Sequence, residues 1–554
     1  MKKKIGLFIN SLYVSGNLKH FLELYDDSNN YTITLLFINK NKVKNNVLSN
    51  KKFLFINHFF NRFLPITFLK LINEIEKYIL IKTNKLSKSF FNKKNLKHKF
   101  EIINLYPQFD KYRNVFKFNE SDLKLIKKLN LNLLIQFGHT NFEGDILNIC
   151  TNGIISLSTS ENNKIFNGPA GFWEVYFRNP RTSFTITKAN KQNNGGDIIY
   201  NGYIETSFIY SLNLARLYEI SNHFLHNRIE DIISGNYQSL ISKESLYQNP
   251  HFRIPNLLQL FFYLIKTFIL LLKKVCQMIL GKSYRWAIAY QFVPNWESVM
   301  LSQSRKVKNP KNRFLADPFV IKKNNQFFCF VEDYDYLTKK GSISAYKLTP
   351  NNYENLGYVL KEDFHLSFPF IFEFENQIYM CPETHEINEI RIYKCIDFPG
   401  KWIFHKTLIK NVSAADTMIF KSNGKWWLLT NIDQSRFNCH GNQLHIFHSI
   451  HPFSGEWIPN TSNPVIFDPL QARNGGLILE NKQIYRIFQK PGFNKYGEGL
   501  GISKINSITE DEYKEEILLD VKPTFFKNII GTHTYNYQKG LLVIDFLEIN
   551  KKED

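Results

Sequence analysis

What this sequence lacks narrows it first. Six cysteines are scattered through 554 residues with no CxxC pair. That implies neither a disulfide framework nor a structural zinc site, and reduced thiols in a cytoplasmic protein are the expectation. No GxGxxG or Walker loop occurs, which excludes the ordinary dinucleotide and nucleoside-triphosphate fingerprints. His223, His226 and Glu219 stand outside any HExxH spacing, so no metal site is expected. Zinc-finger spacing and RNA-binding aromatic motifs are absent too, which removes nucleic acid as a partner despite a basic composition. The first apolar run, IGLFI after MKKK, is too short for a signal peptide. One long apolar stretch exists, at residues 257–280, but Lys266, Lys273 and Lys274 interrupt it. A charge at the bilayer centre costs about 2.5–3.5 kcal/mol. An amphipathic helix lying in the membrane plane is therefore favoured over a spanning one, with a buried interdomain helix or a homodimer seal left open.

Positive charge is abundant: 70 Lys and Arg against 49 Asp and Glu, a formal net charge of +21. Much of it falls between Lys40 and Lys99, including Lys51, Lys52, Lys93, Lys94 and Lys97. Such a field attracts lipid headgroups, nucleotides or acidic polysaccharide. Together with the 257–280 helix it predicts peripheral attachment at the inner face of the cytoplasmic membrane. The 50 Phe and 28 Tyr favour strands and say little about chemistry.

Taken in order, residues 5–9 and 31–38 read as strands, 16–25 and 67–81 as helices, 120–129 as a helix and 130–136 as a buried strand. This alternation predicts an open, mostly parallel α/β sheet over residues 1–205. Residues 206–300 read as a helical connector containing the apolar helix. From 301 to 554 one pattern returns every 50 to 60 residues or so, an apolar strand, an Asn/Gly/Asp turn and an aromatic strand. Its copies begin at ADPFV (316–320), SFPFI (367–371), ADTMIF (415–420) and GGLIL (475–479), with a fainter one through GTHT (531–534) and LLVID (541–545). Units of about four strands round one axis give a five-bladed β-propeller.

Three stretches at residues 134–205 carry a resemblance to the formyltransferase family: LIQFGHTNFEGDILNICTNGIISLSTS, NGPAGFWEVYF and TSFTITKANKQNNGGDIIYNG. The resemblance implies a Rossmann-type α/β domain, but not its chemistry. Where active relatives carry Asn or Ser, one residue and then His, this sequence has Ser156 and Ser158. The Arg-Gly position is Asn167-Gly168, and the acidic position falls on Asn194. Serine and amide groups cannot accept the proton that formyl transfer to an amine releases, so folate is not an expected cofactor. The nearest imidazole is His139, which leaves a sugar N-formyltransferase as the remote reading.

The segments FLADPF (314–319), HLSFP (365–369), MCPET (380–384), ADT (415–417) and YRIFQ (485–489) resemble the five-bladed propellers of furanosidases and levansucrases. They look still more like the propeller of glucosamine inositolphosphorylceramide transferase-like proteins and of bacterial surface-polysaccharide proteins. Polar groups at blade openings converge on one funnel. Paired carboxylates there are what glycosyl chemistry requires. By this resemblance Asp317, Glu383 and Asp416 are candidate catalytic groups, and Glu332, His365, Arg473, Gln489 and His533 candidate substrate-binding groups. Trp402, Trp426, Trp427 and Trp457 are candidate sugar platforms only where they face the funnel. The expected function is glycosyl transfer or remodelling in bacterial capsule or lipopolysaccharide assembly, on a glycan with a nucleotide- or lipid-linked sugar donor. The alternative is a non-catalytic carbohydrate-binding scaffold.

Overall fold

The structure is a computed structural model and describes residues 2–25, 30–39, 62–86, 88–96, 99–110, 115–138, 141–159, 168–190, 196–237, 253–279 and 282–551. His139, Asn167, Asn194 and the lysines of 40–61 lie outside the described residues. Two compact units are present, Met1–Leu270 and Leu271–Asp554.

In the first unit the apolar segments IGLFI, TITLLFI and LLIQF form adjacent strands of one seven-stranded sheet. Lys3–Ile9 runs parallel to both Tyr31–Ile38 and Leu133–Phe137, and Ile154–Ser158 continues the parallel set. Near-continuous burial of these strands is what a parallel sheet covered on both faces demands. A hairpin, Arg181–Lys188 with Asp197–Glu205, adds two antiparallel strands at one edge. Helix Gly16–Leu24 follows the first strand and packs on the long helix Tyr210–Ser234. Helix Leu64–Lys82 also packs there, where its buried Glu76 accepts a hydrogen bond from Ser211 N at 2.8 Å.

Residues 206–300 are therefore not one connector. Helix Tyr210–Ser234 belongs to the first unit, because more than half of its residues are buried there. Strand Lys282–Phe292 belongs to the second, paired along its whole length with Leu541–Lys551. Its partner lies some 250 residues later, which no local pattern announces.

Among the described residues the second unit holds five sheets in sequence. The first four open with Arg313–Lys323, Ser367–Phe374, Ala414–Ser422 and Asn474–Glu480, each the first of four antiparallel strands. In the fifth, Tyr535–Gln538 pairs with Leu541–Lys551, followed outward by Lys282–Phe292 and Arg305–Lys306. First strands of successive sheets are neighbours, and the fifth returns to the first, giving a closed propeller-like ring. Asn536 and Gln538 of the fifth sheet accept bonds from Val320 N at 3.0 Å and Lys322 N at 2.7 Å of the first. The core lies between the sheets, with Phe319, Phe370, Met418 and Trp427 in one cluster.

Candidate functional site

Each of the first four sheets opens with the same local distortion. Pairing of the first strand with the second skips between Ala316 and Phe319, Ser367 and Phe370, Ala415 and Met418, and Asn474 and Gly476. Within the first three bulges Asp317, Phe368 and Asp416 adopt left-handed φ values of 49°, 45° and 50°. Bulges bend a strand and re-aim its groups, here towards the neighbouring sheet. Facing each bulge stands a polar residue of the second strand. Glu332 pairs with Ala316, Glu383 with Ser367 and Asn431 with Ala415. Gln489 N donates to Arg473 O and Asp545 N to Thr534 O, so Gln489 and Asp545 hold the matching places in sheets four and five. Five equivalent positions thus carry three acids and two amides.

The groups tie into one network. Asp317 Oδ1 accepts from Thr534 Oγ1 at 2.7 Å and lies 3.1 Å from His533 Nε2, while its Oδ2 accepts from Phe368 N. His533 Nδ1 is 2.8 Å from Asp545 Oδ2, leaving the ring between two carboxylates and beneath Trp286. Asp416 Oδ2 receives Arg473 Nε at 2.6 Å and Gln489 Nε2 at 3.1 Å. Arg473 Nη2 stands 4.0 Å from Glu383, and its guanidinium lies 4.9 Å from the Tyr496 ring. Glu383 Oε1 pairs with His385 Nδ1 at 2.8 Å, and its Oε2 accepts from Asp416 N. Glu332 Oε1 is 3.5 Å from His365 Nε2. His365 Nδ1 accepts from Gly341 N at 2.9 Å, which places the proton of the neutral ring on Nε2, towards Glu332.

These surroundings divide the acids. Burial pushes Glu332 well above the usual carboxylate range, and the nearby Asp317 and Glu383 add to it. Burial also raises Asp416, helped by Glu383 and Asp317 and opposed by Arg473. For Glu383 the cost of burial is outweighed by His385, Arg473 and His440, which hold it well below the usual range. Asp317 is likewise lowered, since His533 and Thr534 outweigh its burial. His533 is itself pushed up to about 10: burial opposes its charge, but Asp545 and Asp317 prevail. Asp317, His533 and Asp545 offer three ligand atoms within 4.8 Å of one another. His533, 3.1 Å from Asp317 and 2.8 Å from Asp545, already stands between the two carboxyl groups in that space.

The eight residues singled out in the second unit all join this network. The four tryptophans do not: Trp402, Trp426, Trp427 and Trp457 are buried, and Trp427 donates to Ser422 O. Sequence reasoning missed Asp545 as a site residue, along with His385, His440, Trp286 and Tyr496. Asp545 had a signal, a lone acid in the apolar run LLVIDF. Trp286 had none, because its strand reaches the fifth sheet only through long-range pairing. In the first unit Ser156 and Ser158 lie on strand Ile154–Ser158, with Ser158 paired to Thr185.

A family model described as "Glucosamine inositolphosphorylceramide transferase 1, N-terminal" matches residues 280–540. Glucosamine inositolphosphorylceramide transferase 1 of Arabidopsis thaliana is 36% identical over 212 residues, covering 37% of this chain and 27% of the relative. Its namesake in Oryza sativa subsp. japonica is 35% identical, over 37% of this chain and 28% of that protein. The chain thus spans about a quarter of the length of these curated relatives, and the residues matched by the family model lie in the second unit. Among solved structures, a family 117 glycoside hydrolase of Zobellia galactanivorans aligns with a TM-score of 0.32 at 11% identity, over 48% of this chain and 90% of that one. A sugar N-formyltransferase from Shewanella sp FDAARGOS_354 aligns with a TM-score of 0.27 at 15% identity, over 48% and 88%.

Proposed function

We propose that the second unit transfers or remodels a sugar during assembly of a bacterial surface polysaccharide, with the network of Asp317, Glu332, Glu383 and Asp416 as its site. The observation that carries this reading is the placement of Glu332 and Glu383 at equivalent positions of adjacent sheets, in surroundings that push the one up and the other down from the usual carboxylate range. Acid and base roles fall to groups whose environments push them apart. A protonated Glu332 would donate to the oxygen leaving the anomeric carbon. An ionised Glu383, oriented by His385, would attack that carbon or take the acceptor's proton. In this reading Asp317 and Asp416 are positioning groups, since the protein's own donors already engage them. Arg473, Gln489 and His365 would orient hydroxyl or phosphate oxygens of a nucleotide- or lipid-linked donor. The half-exposed Trp286 and the exposed Tyr496 form an aromatic corner with His533 on which a sugar ring can stack. The names of the plant relatives favour sugar transfer to a phosphate-bearing lipid over hydrolysis.

Incubation of the full chain with mixed nucleotide- and lipid-linked sugars, followed by mass spectrometry, tests the proposal. Glu332→Gln and Glu383→Gln should each lower turnover at least ~100-fold while changing sugar affinity little. A second reading, a carbohydrate-binding scaffold, is favoured by the internal bonding of both Asp317 oxygens. It predicts sugar binding by calorimetry with no turnover in any mixture, and that result would replace the enzymatic reading.

A further inference from the structure

Helix Leu257–Ile279 is held to the first unit by a narrow stripe. Leu260 and Tyr263 are buried, Tyr263 donates to Glu76 and accepts from Tyr210 N at 3.0 Å. Lys266 Nζ donates to Tyr176 O at 2.9 Å and lies over the Tyr176 ring, so it is turned into the protein. At 3.6 residues per turn, the opposite side is formed by Phe261, Phe268, Leu272, Val275 and Ile279. These are 54, 63, 47, 48 and 78% exposed, and Leu258 and Ile269 widen the face. An apolar face this continuous marks a partner. The helix contains no Asp or Glu, and the exposed Lys273 borders the apolar face. No helix among the described residues is long and apolar enough to cross a membrane.

Charge identifies the kind of partner. The first unit carries 35 Lys and Arg against 19 Asp and Glu, the second 35 against 30. Of the net +21, +16 therefore sits on the unit that holds the first part of this helix, through Leu260, Tyr263 and Lys266, its residues from Leu271 onward being counted with the second. A second copy packed on the same face would set like charges against each other, whereas an anionic surface gains from both the apolar face and the field. We infer that the helix lies in the interface of an anionic bilayer. Phe261, Phe268, Leu272, Val275 and Ile279 enter about 5–10 Å into the headgroup–acyl boundary, and Lys273 meets the phosphates. This inference stands apart from the sugar chemistry, because lipid binding needs no turnover.

Co-sedimentation of the full chain with vesicles of phosphatidylcholine, with or without phosphatidylglycerol, tests it. Binding should require phosphatidylglycerol and fall with salt. Lys273→Ala should weaken it about fivefold, and the triple change Phe261→Ser, Phe268→Ser, Leu272→Ser at least about tenfold, with circular dichroism unchanged. Phe268→Trp serves as a folded reporter, whose emission should shift to the blue only with anionic vesicles. Wild type remaining in the supernatant with both vesicles, or a dimer that the triple change converts to monomer, overturns the inference.

Discussion

Glu332 and Glu383 show how little a residue's identity fixes its chemistry. Both are buried glutamates facing a bulge in adjacent sheets, yet burial and nearby acids push one well above the usual carboxylate range while His385, Arg473 and His440 hold the other well below it. If Glu332 is the proton donor, turnover should fall as pH rises through its raised pKa, and the alkaline limb should vanish from the residual activity of Glu332→Gln. A pH–rate profile that keeps the same limb in the variant assigns the proton elsewhere. His533 offers a separate test through stability. Its pKa in the folded state, about 10, lies above the ordinary histidine value. Its stabilisation is therefore complete below about pH 6.5 and is lost progressively as pH rises towards 10. Asp317 works in the opposite sense. Being lowered on folding, it loses its contribution as pH falls below the ordinary carboxylate range. Urea midpoints of wild type and His533→Gln should differ most near pH 5–6 and converge by about pH 10; a gap constant across that span contradicts the ion pair.

At the scale of the element, the bulge is the repeated device. It needs left-handed backbone at Asp317, Phe368 and Asp416, and it brings neighbouring sheets into close approach. Gly341 shows how close: an added Cβ would meet Leu366 O at 2.4 Å and His365 Cε1 at 2.7 Å. Gly341→Ala should destabilise by about 1–3 kcal/mol and disturb the His365–Glu332 contact, so thermal melting and turnover should decline together. A variant that melts like wild type shows that the sheets can part there. Sheet four has its own tie. Arg486, with no exposed surface, makes two bonds to Glu515, at 2.7 and 2.6 Å, and a third to Gln471 O at 2.7 Å. Leaving Glu515 buried without its charged partner, with only Gln471 and Tyr513 still donating to it, should cost about 3–5 kcal/mol in Arg486→Met, measured by urea unfolding. Loss below about 1 kcal/mol would mean that water reaches Glu515.

For the whole molecule, closure of the ring decides stability. The second unit's opening strand, Lys282–Phe292, and its last, Leu541–Lys551, zip together in the fifth sheet. The same last strand presents Asp545 to His533 and to Asp317 N of the first sheet. Ending the chain after Gln538 removes that strand and opens sheet edges on both sides. The truncated chain should lose cooperative unfolding of the second unit and become sensitive to protease throughout residues 282–538. Retained cooperativity would show that the four remaining sheets suffice.

Sequence periodicity alone was enough for three parallel strands of the first unit, Lys3–Ile9, Tyr31–Ile38 and Leu133–Phe137, though not for Glu101–Leu105 or Ile154–Ser158, and for four of the five sheet openings, because strand alternation and turn residues are local. The motifs ADP and ADT drew attention to Asp317 and Asp416 as candidate site groups, but their bulges came only with the structure; the helix at 257–280 was legible from its spacing. Tertiary structure decided the rest. Lys282–Phe292 reads as connector until Leu541–Lys551 pairs with it, and Trp426 and Trp427 are both buried although they alternate along one strand, because sheets pack on each face of theirs. The protonation of Glu332, Glu383 and His533 depends on neighbours that different sheets bring together. Charges interact through space at a few ångströms, and only the closed ring sets those distances.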